Sequence, residues 1–589
     1  MDFFGILTMV GGLALFLYGM NLLGEGLSRL SGGRLEHILE QLTSNPFKAV
    51  LVGTGVTAVI QSSSATTVMV VGFVNSGIMK LEQAVGIIMG ANIGTTVTSW
   101  LLGMVGIDSS SFFLQLLKPT SFSPVLAIIG VIVIMFSQKE QWKNAAAIML
   151  GFAILMFGMD TMSNAVKPLA KVPEFTGILT RFANPLLGLL AGLILTAVIQ
   201  SSSASVGILQ ALCITGAVGY GAAIPIIMGQ NIGTCVTAMI SGVGAAKNAK
   251  RAALVHLYFN IVGTILFMVV FYSINVFAPY AFLQEAASPW GIAVIHSVFN
   301  VLTTICLLPF SKGLVKLACM TIKDEAKPCE ISKDEKPLQL LDSRFLETPA
   351  YAVEQSRNVA IAMSELAEDA MNLSMELLHE YSEDKAKRVV ELESEVDRYE
   401  DELGSYLVKL CARDMSEKNN RTMNTLLHCI GDFERISDHA RNVKEAAEEM
   451  HQKGLQFSEG AREELAVFEK AIHDILKVTM LAFNEEDVKL ACQVEPLEEV
   501  VDCMNLDMKQ RHIKRLREGN CTIELGFILA DITTNFERVS DHCSNIAVCL
   551  LQAGEDEYDP HAYLSEIKQQ KNADFRELVE AYKIRYRLP

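Results

Sequence analysis

The chain has 589 residues, of which 50% are hydrophobic and 20% are charged, and its formal net charge is −17. Residues 1–310 carry 13 basic and 10 acidic residues, a net charge of +3, whereas the remainder carries 36 and 56, a net charge of −20. This split predicts a membrane half followed by a soluble, acidic half. It excludes a secreted enzyme, a nucleic-acid binder and a soluble domain with a simple membrane anchor.

The sequence starts with Met-Asp-Phe-Phe and continues as an apolar run. It lacks the basic region and the small-residue cleavage site of a signal peptide, so the first helix is expected to remain in the mature protein. The 12 cysteines show no CxxC pair and no zinc-ligand spacing. Free thiols in a reducing compartment are therefore predicted.

Seven apolar segments are near the length that a helix needs to cross a membrane. They are residues 3–23, 81–103, 122–137, 145–165, 220–242, 252–275 and 289–310. Two further apolar regions, 47–78 and 186–217, each have the polar cluster Gln-Ser-Ser-Ser at their centre, at 61–64 and 200–203. A polar run inside an apolar segment predicts a broken helix or re-entrant hairpin, which a membrane tolerates only where it lines a protein cavity.

The membrane half is internally duplicated. A shift of 139 residues aligns 57–65 with 196–204, and the Gly-x-Asn-Ile-Gly-Thr sequence at 90–95 with 229–234, without a gap. This register predicts two repeats, about 1–138 and 139–276, followed by an extra helix at 289–310. Each repeat has three predicted crossings, an odd number, so the second repeat is expected to be inverted relative to the first.

Loop charges predict the orientation in the membrane. The 247–251 loop is basic and the segment after 310 is rich in lysine, whereas 276–288 has no lysine or arginine. We therefore expect the 247–251 loop and everything after 310 to be cytoplasmic. The 166–185 loop carries Lys167, Lys171 and Arg181 although it is assigned to the outside, and it fits this orientation badly.

Inverted repeats with broken helices are typical of secondary transporters. Hydroxyl groups and helix N-termini can bind an anion, and freed carbonyl, amide and hydroxyl oxygens can bind a hard cation such as sodium. Because the motifs contain no lysine or arginine, anion binding should depend on co-bound cations. The alternative is that these small and hydroxylated residues only pack membrane helices together.

The paired Gln-Ser-Ser-Ser motifs, each followed by GANIGTTVT or GQNIGTCVT, resemble the type II sodium/phosphate cotransporter family over about residues 1–310. The resemblance implies a non-enzymatic, sodium-coupled phosphate transporter that works by alternating access. The site residues that it implies are Gln61, Ser62, Ser63, Ser64, Gln200, Ser201, Ser202 and Ser203, followed by Thr66, Asn92, Thr95, Ser205, Asn231 and Thr234. Asp160, near the end of an apolar segment, is either part of a sodium site or an interfacial helix-end residue.

The acidic half contains six amphipathic segments, which predict one helical bundle or two three-helix bundles. They are residues 350–381, 384–411, 418–451, 460–482, 488–518 and 521–552. We assign 345–555 to this domain, 311–344 to a linker and 556–589 to a C-terminal tail with a helix from about 560.

A second duplication relates DFERISDH at 432–439 to NFERVSDH at 535–542. Four acidic ExxxD pairs place both carboxylates on one helix face: Glu393/Asp397, Glu434/Asp438, Glu498/Asp502 and Glu537/Asp541. Such oxygen clusters suit magnesium, manganese or iron, although they also suit solvated helix faces on which Arg435 and Arg538 pair locally. The segments resemble the PhoU family of phosphate-signalling proteins, which implies a regulatory domain with metal-binding ExxxD motifs. His439 and His542 could be metal ligands, but we expect them to be helix-face residues beside this site.

The sequence thus predicts an all-α protein of the cell membrane: a polytopic sodium/phosphate symporter with a cytoplasmic PhoU-like domain. Its partners would be inorganic phosphate, sodium, the lipid bilayer, and a phosphate-signalling protein or a second copy of the chain, but not nucleic acid. Two alternatives remain open. The transporter could export phosphate, or the membrane half could anchor a metal-binding phosphate sensor.

Overall fold

The computed structural model describes residues 3–31, 45–104, 119–168, 172, 177, 181–323, 337–413, 415–552 and 573–589. These residues are helical and contain no β-strand, which confirms the all-α prediction. They fall into two compact units, Met1–Ile331 and Ser332–Pro589.

The membrane unit contains twelve helices among its described residues. They are α1 (Phe3–Ser31), α2 (Pro46–Ile60), α3 (Ser63–Asn75), α4 (Leu81–Gly103), α5 (Pro119–Phe136), α6 (Glu140–Val166), α7 (Pro185–Ile199), α8 (Ser202–Ile214), α9 (Tyr220–Ser241), α10 (Lys247–Phe277), α11 (Pro289–Leu307) and α12 (Ser311–Thr321). Six spans are long and apolar enough to cross a membrane: α1, α4, α6, α9, α10 and the combined α11–α12 segment. The chain is therefore a multi-pass membrane protein.

Two of the predicted boundaries differ from the structure. The seventh predicted span, 122–137, lies on α5, which has 18 residues and contains Pro124; its length of about 27 Å falls just short of a bilayer core. The first eleven residues of the predicted linker form α12 instead. Leu314 and Ala318 lie one turn apart on α12 and are both buried, so apolar packing extends the membrane unit past residue 310.

The first helices of the two repeats, α1 and α6, pack antiparallel through glycines. Gly12 faces Gly158, and Gly19 faces Gly151; a methyl group on Gly19 would lie 2.3 Å from the Leu155 nitrogen. Because the 139-residue shift relates Gly12 to Gly151 and Gly19 to Gly158, each contact is the repeat-related copy of the other. This pattern agrees with inverted repeats, and the inverted topology itself stays a prediction.

Both polar clusters break their helices in the same way, as the sequence predicted. Helix α2 ends at Gln61, whose φ of 61° is left-handed, and α3 begins two residues later; α7 ends at Gln200 with φ 59°. The Ser62 side chain then caps α3 by accepting from the Ala65 amide, and Ser201 caps α8 in the same manner. Residues other than glycine rarely adopt a left-handed backbone conformation. Both equivalent glutamines adopt it, so the two turns share an uncommon backbone geometry.

Each hairpin packs closely on the helix that carries its repeat's second motif. A methyl group on Gly90 of α4 would lie 2.1 Å from the Val50 carbonyl oxygen on α2. In the second repeat, a methyl group on Gly229 of α9 would lie 2.0 Å from the Leu189 carbonyl oxygen on α7. Glycine is therefore required at both positions to bring the broken helix against the motif helix.

The second unit contains two three-helix bundles, which confirms the predicted architecture. Its helices are α13 (Pro349–His379), α14 (Glu383–Cys411), α15 (Glu417–Lys453), α16 (Glu459–Glu485), α17 (Val488–Ala491), α18 (Val494–Arg517), α19 (Ile523–Gln552) and α20 (Ala573–Arg585). The predicted segment 488–518 is interrupted between α17 and α18. The predicted start of the tail helix, about 560, lies outside the described residues. Helix α20 packs against α18, and Tyr586, the residue after α20, donates to Asp474 of α16 at 2.5 Å.

Candidate functional site

The tip of the first hairpin is tied to the motif helix α4. The Thr98 hydroxyl donates to Gln61 Oε1 at 2.7 Å, and Gln61 Nε2 donates to the Ala58 carbonyl at 2.6 Å. Below the tip, the hydroxyls of Thr57 and Thr66 are 3.0 Å apart and fully buried. These bonds hold the broken helix in one geometry inside the membrane unit.

The broken helix brings free donors and free acceptors close together. Ser63 and Ser64 are the first two residues of α3, so their backbone N–H groups have no intrahelical acceptor. The positive end of the helix dipole adds to them, which suits an anion. At the other side of the turn, Gln61 donates to the Thr57 and Ala58 carbonyls, and the next two carbonyls of α2, those of Val59 and Ile60, lack intrahelical donors and suit a cation. The same arrangement recurs at Ser202 and Ser203 of α8.

The second tip has the same backbone but different side-chain contacts. Gln200 is exposed, and its side chain makes no hydrogen bond with any described residue. Thr237, the counterpart of Thr98, donates to the Thr234 carbonyl of its own helix at 2.8 Å instead. Ser205 and Thr196, the counterparts of Thr66 and Thr57, have buried hydroxyls without a described partner. The two repeats are therefore in different local states.

The second motif of each repeat is buried on α4 and α9. Asn92 and Asn231 are each only 3% exposed. Thr95 and Thr234 return their hydroxyls to the preceding turn, at 3.1 Å and 2.9 Å. Polar side chains that are buried inside membrane-spanning helices are typical of a substrate or ion pathway.

The two repeats cross over each other. Helix α3 of the first hairpin packs against α9, and α8 of the second hairpin packs against α4, so each hairpin arm contacts the other repeat's motif helix. Gln210 of α8 strengthens this crossing, since its Nε2 donates to the Ser99 carbonyl at the end of α4 at 2.9 Å. Apart from Asp160, the predicted site residues therefore lie on these four packed helices or in the turns that lead into α3 and α8.

Asp160 differs from the other predicted site residues. It is exposed on α6, and its Oδ2 accepts from the Asn164 amide at 2.9 Å. None of its described contacts is with either hairpin tip. This position favours the alternative of an interfacial helix-end residue, and its role in a sodium site stays a prediction.

The predicted residue set omits several polar residues that contact it. Thr57 and Thr98 lie in the duplicated register, so the repeat alignment could have indicated them. His296 of α11 is 3.4 Å from Asn231, and no residue of the 139-residue repeat indicates it. A different sequence pattern could have indicated His296, because His-x-x-Phe-Asn occurs at 256–260 and again at 296–300.

In the second unit, six of the eight predicted acidic residues form two carboxylate triads. Within each triad, carboxylate oxygens lie within 4.8 Å of one another. The triads consist of Asp397, Glu434 and Asp438, and of Glu498, Asp502 and Asp541. Burial and the neighbouring carboxylates raise the pKa of Asp397 and of Glu434. Oxygen ligands under mutual repulsion fit a hard divalent cation or iron.

The remaining two predicted ligands have other partners. Glu393 is buried and accepts from Arg441 at 2.7 Å, and Glu537 accepts from the Asn505 amide. Arg435 and Arg538 each bond to the aspartate three residues later, as the alternative of locally paired helix faces expects. The two triads therefore contain six of the eight residues in the four predicted pairs.

The two histidines lie between the bundles, on α15 and α19. His439 Nδ1 is 2.8 Å from Asn535 Oδ1, and His542 Nδ1 is 2.8 Å from Asp432 Oδ1. Because the duplication relates 432 to 535 and 439 to 542, these are two copies of one contact. Burial is the main cause that lowers the pKa of His439. The described contacts of both histidines are with the facing bundle, so their role is in joining the bundles.

The fold and site define a class of protein: a polytopic membrane transporter with duplicated broken helices, joined to a soluble pair of three-helix bundles. The comparisons with known proteins agree with this class. Residues 15–164 and 154–284 match the sequence profile described as Na+/Pi-cotransporter, and residues 361–447 and 468–550 match the PhoU domain. The second cotransporter match begins 139 residues after the first, which is the shift that aligns the repeats.

The chain belongs to the Na+/Pi-cotransporter family and carries a PhoU domain in its C-terminal half. It is 24% identical to YjbB of Salmonella typhimurium over 567 residues, 95% of this chain and 99% of that protein, whose name assigns it provisionally to inorganic phosphate export. It is 30% identical to YqeW of Bacillus subtilis over 311 residues, 52% of this chain and 95% of that protein. It is also 36% identical to Sodium-dependent phosphate transport protein 2A of Rattus norvegicus over 100 residues, 16% of each chain.

Proposed function

We propose that this protein carries inorganic phosphate across the cell membrane together with sodium, using the two broken-helix tips as the binding site. The observation that carries the proposal is the duplicated tip itself. Each copy offers free helix N–H groups, serine hydroxyls and freed carbonyls, at Ser63 and Ser64 in one repeat and at Ser202 and Ser203 in the other. No basic side chain lies in these motifs.

The absence of basic residues from the motifs makes a co-bound cation necessary. Phosphate near neutral pH carries between one and two negative charges, and a membrane potential of 100 mV opposes entry of each charge by about 2.3 kcal/mol. Two sodium ions would neutralise the dianion, and a third would let the potential drive uptake. The carbonyl, hydroxyl and amide oxygens at the tips and on α4 and α9 are ligands that suit sodium.

The difference between the repeats supports alternating access. Gln61 is bound to Thr98, whereas Gln200 is exposed and unbound within the described residues. If the repeats exchange these two states, the site opens first to one side of the membrane and then to the other. The loop charges at 247–251 and after 310 support a cytoplasmic position for the PhoU-like half.

The PhoU-like half would act as a regulator and not as a catalyst. Its two carboxylate triads would hold divalent cations or iron, and metal there would fix the helices α14, α15, α18 and α19 relative to one another. The signal that it reads would then change transport by the membrane half. A phosphate-signalling protein or a second copy of the chain would be its partner.

Phosphate export is the second candidate function. It is favoured by the similarity to YjbB over 95% of this chain, because that protein's name refers to export. The site chemistry is the same in both cases, since the direction of flux through a coupled transporter is set by the gradients.

The test is phosphate flux in proteoliposomes that contain the purified full chain. We expect inward-directed sodium to drive radioactive phosphate uptake, and an equal potassium gradient to give none. Replacing both Gln61 and Gln200 by alanine should abolish the flux while the variant remains monodisperse in detergent. Phosphate flux that is the same in sodium and in potassium would overturn sodium coupling, and full activity of the double variant would remove the tips as the site.

A further inference from the structure

A second duplicated motif lies on α10 and α11, two helices that pack against both motif helices, α4 and α9. His256, Asn260 and Thr264 follow one another at four-residue spacing on α10, and His296, Asn300 and Thr304 do so on α11. Each of the six side chains is at most 3% exposed. Because this motif repeats after 40 residues, it is independent of the 139-residue duplication.

Both copies contact α9 at its second motif. On α10, Asn260 Nδ2 donates to the His256 carbonyl at 3.0 Å and lies 3.3 Å from Cys235 Sγ. On α11, His296 Nε2 is 3.4 Å from Asn231 Oδ1. Asn231 is one of the predicted site residues of repeat two, so His296 contacts that set directly.

The contacts of His296 determine which of its nitrogens carries the proton. Asn231 Oδ1 can only accept a hydrogen bond, so His296 Nε2 must be the donor. His296 Nδ1 is then the acceptor, and it lies 2.7 Å from the Ser99 hydroxyl, which donates to it. A chain of hydrogen bonds from Ser99 through His296 thus ends on the oxygen of the Asn231 amide.

This chain makes Asn231 differ from Asn92, its counterpart in repeat one. In Asn231 the oxygen is occupied by His296, and the buried Nδ2 has no hydrogen-bond partner among the described residues. In Asn92 the opposite holds, because Nδ2 donates to the Ile88 carbonyl at 3.1 Å and no described donor reaches Oδ1. One asparagine therefore presents N–H groups, and the other presents an oxygen.

We infer that the two repeats divide the recognition of the transported ions: Asn231 Nδ2 donates to a phosphate oxygen, Asn92 Oδ1 binds sodium, and His296 is the positioning residue that orients Asn231. Amide N–H groups suit an anion, and amide oxygens suit a hard cation. A buried N–H group without an acceptor is costly, and a bound phosphate oxygen removes that cost. The inference rests on the proposed function and adds the residues that distinguish the anion from the cation.

The test separates the two ions in proteoliposomes of the full chain. The phosphate KM is measured at saturating sodium, and the sodium concentration for half-maximal uptake is measured at saturating phosphate. For His296→Phe, which removes the donor to Asn231, we expect a phosphate KM raised about tenfold, or about 1.4 kcal/mol, with the sodium value changed less than twofold. His296→Gln keeps an N–H donor and should recover most of the phosphate affinity.

The asparagines provide the matched pair of variants. Asn231→Asp replaces the donating amide by an oxygen of the same shape and should raise the phosphate KM at least tenfold. Asn92→Asp keeps an oxygen but adds a charge at the sodium ligand, so it should change the sodium concentration for half-maximal uptake more than the phosphate KM. Binding of inorganic phosphate to each purified variant in detergent, with sodium present, gives a second readout if a variant binds but does not transport.

The outcomes are distinguishable from a failure of the proposed function. If the parent protein shows no sodium-dependent phosphate flux, the proposed function itself fails. If the parent is active and His296→Phe leaves the phosphate KM unchanged, or shifts the sodium value as much as the phosphate KM, then His296 has only a packing role. Equal effects of Asn92→Asp and Asn231→Asp on phosphate would overturn the division between the repeats.

Discussion

Thr98 donates a hydrogen bond of 2.7 Å to the side-chain oxygen of Gln61, and this bond joins the tip of the first hairpin to its motif helix. The equivalent bond, from Thr237 to Gln200, is not formed. Since the local sequences around the two glutamines are nearly identical, the difference comes from the packing of each hairpin. If the repeats exchange these two states, as we propose, this bond forms and breaks during transport.

The first prediction concerns this bond. Thr98→Val removes the hydroxyl that donates to Gln61 at nearly constant volume, and hydrogen bonds between membrane helices are worth about 0.6 kcal/mol on average and up to about 1.7 kcal/mol. We expect phosphate transport to fall several-fold, because the state in which the first tip is held becomes less populated. The matched control is Thr237→Val, whose hydroxyl contacts only its own helix and should affect transport less. Equal transport by the two variants would show that the bond has no role.

The second prediction concerns the close approach of the hairpins to the motif helices. Gly90→Ala would place a methyl group 2.1 Å from the Val50 carbonyl oxygen, so the helices must separate. Overpacking of this kind costs about 1–3 kcal/mol, and we expect a lower thermal unfolding temperature in detergent and a loss of transport. Gly55→Ala on α2, where nothing lies within 4 Å, is the control and should behave as the parent does.

Much of the fold could be predicted from the sequence, because the membrane helices follow from the length of apolar segments and the bundle helices follow from the helical spacing of apolar residues. The breaks at 61–64 and 200–203 could be predicted because polar residues interrupt apolar helices there. The contact between Thr98 and Gln61 could not, because it joins residues 37 positions apart whose counterparts in repeat two carry the same side chains. Likewise, ExxxD spacing could not show that Asp397 joins a carboxylate triad and Glu393 does not. Glu393 is excluded because it pairs with Arg441, which lies 48 residues away in the sequence.

The third prediction concerns the carboxylate triads. Glu434→Gln should lower the content of bound divalent metal or iron in the purified chain, whereas Glu537→Gln should leave it unchanged, because Glu537 is held by Asn505 and belongs to neither triad. The raised pKa values of Asp397 and Glu434 mean that protons compete for the first triad, so metal affinity should be lower at pH 5 than at pH 7.5. Metal analysis at both pH values checks this. Equal metal contents in the two variants would favour solvated helix faces.

The fourth prediction concerns the contact between the two bundles. Because burial lowers the pKa of His439 in the folded state, its neutral form stabilises the fold above the ordinary histidine pKa of about 6.5, and this stabilisation is lost as the pH falls through the folded-state pKa. Hydrogen exchange of α15 and α19, corrected for the intrinsic effect of pH, should therefore show weaker protection at pH 5 than at pH 7.5. His439→Gln should flatten this dependence. An unchanged dependence in that variant would contradict its assignment to His439.

The most direct measurement for the central claim is the reverse coupling of the two ions. Proteoliposomes are loaded with phosphate, placed in phosphate-free buffer with equal sodium on both sides, and followed for the movement of radioactive sodium. If both ions bind at the paired tips and move together, the outward phosphate gradient must drive net sodium efflux, and the Gln61→Ala, Gln200→Ala double variant must show none. Phosphate efflux without net sodium movement, from protein that is active in the same vesicles, would contradict the account.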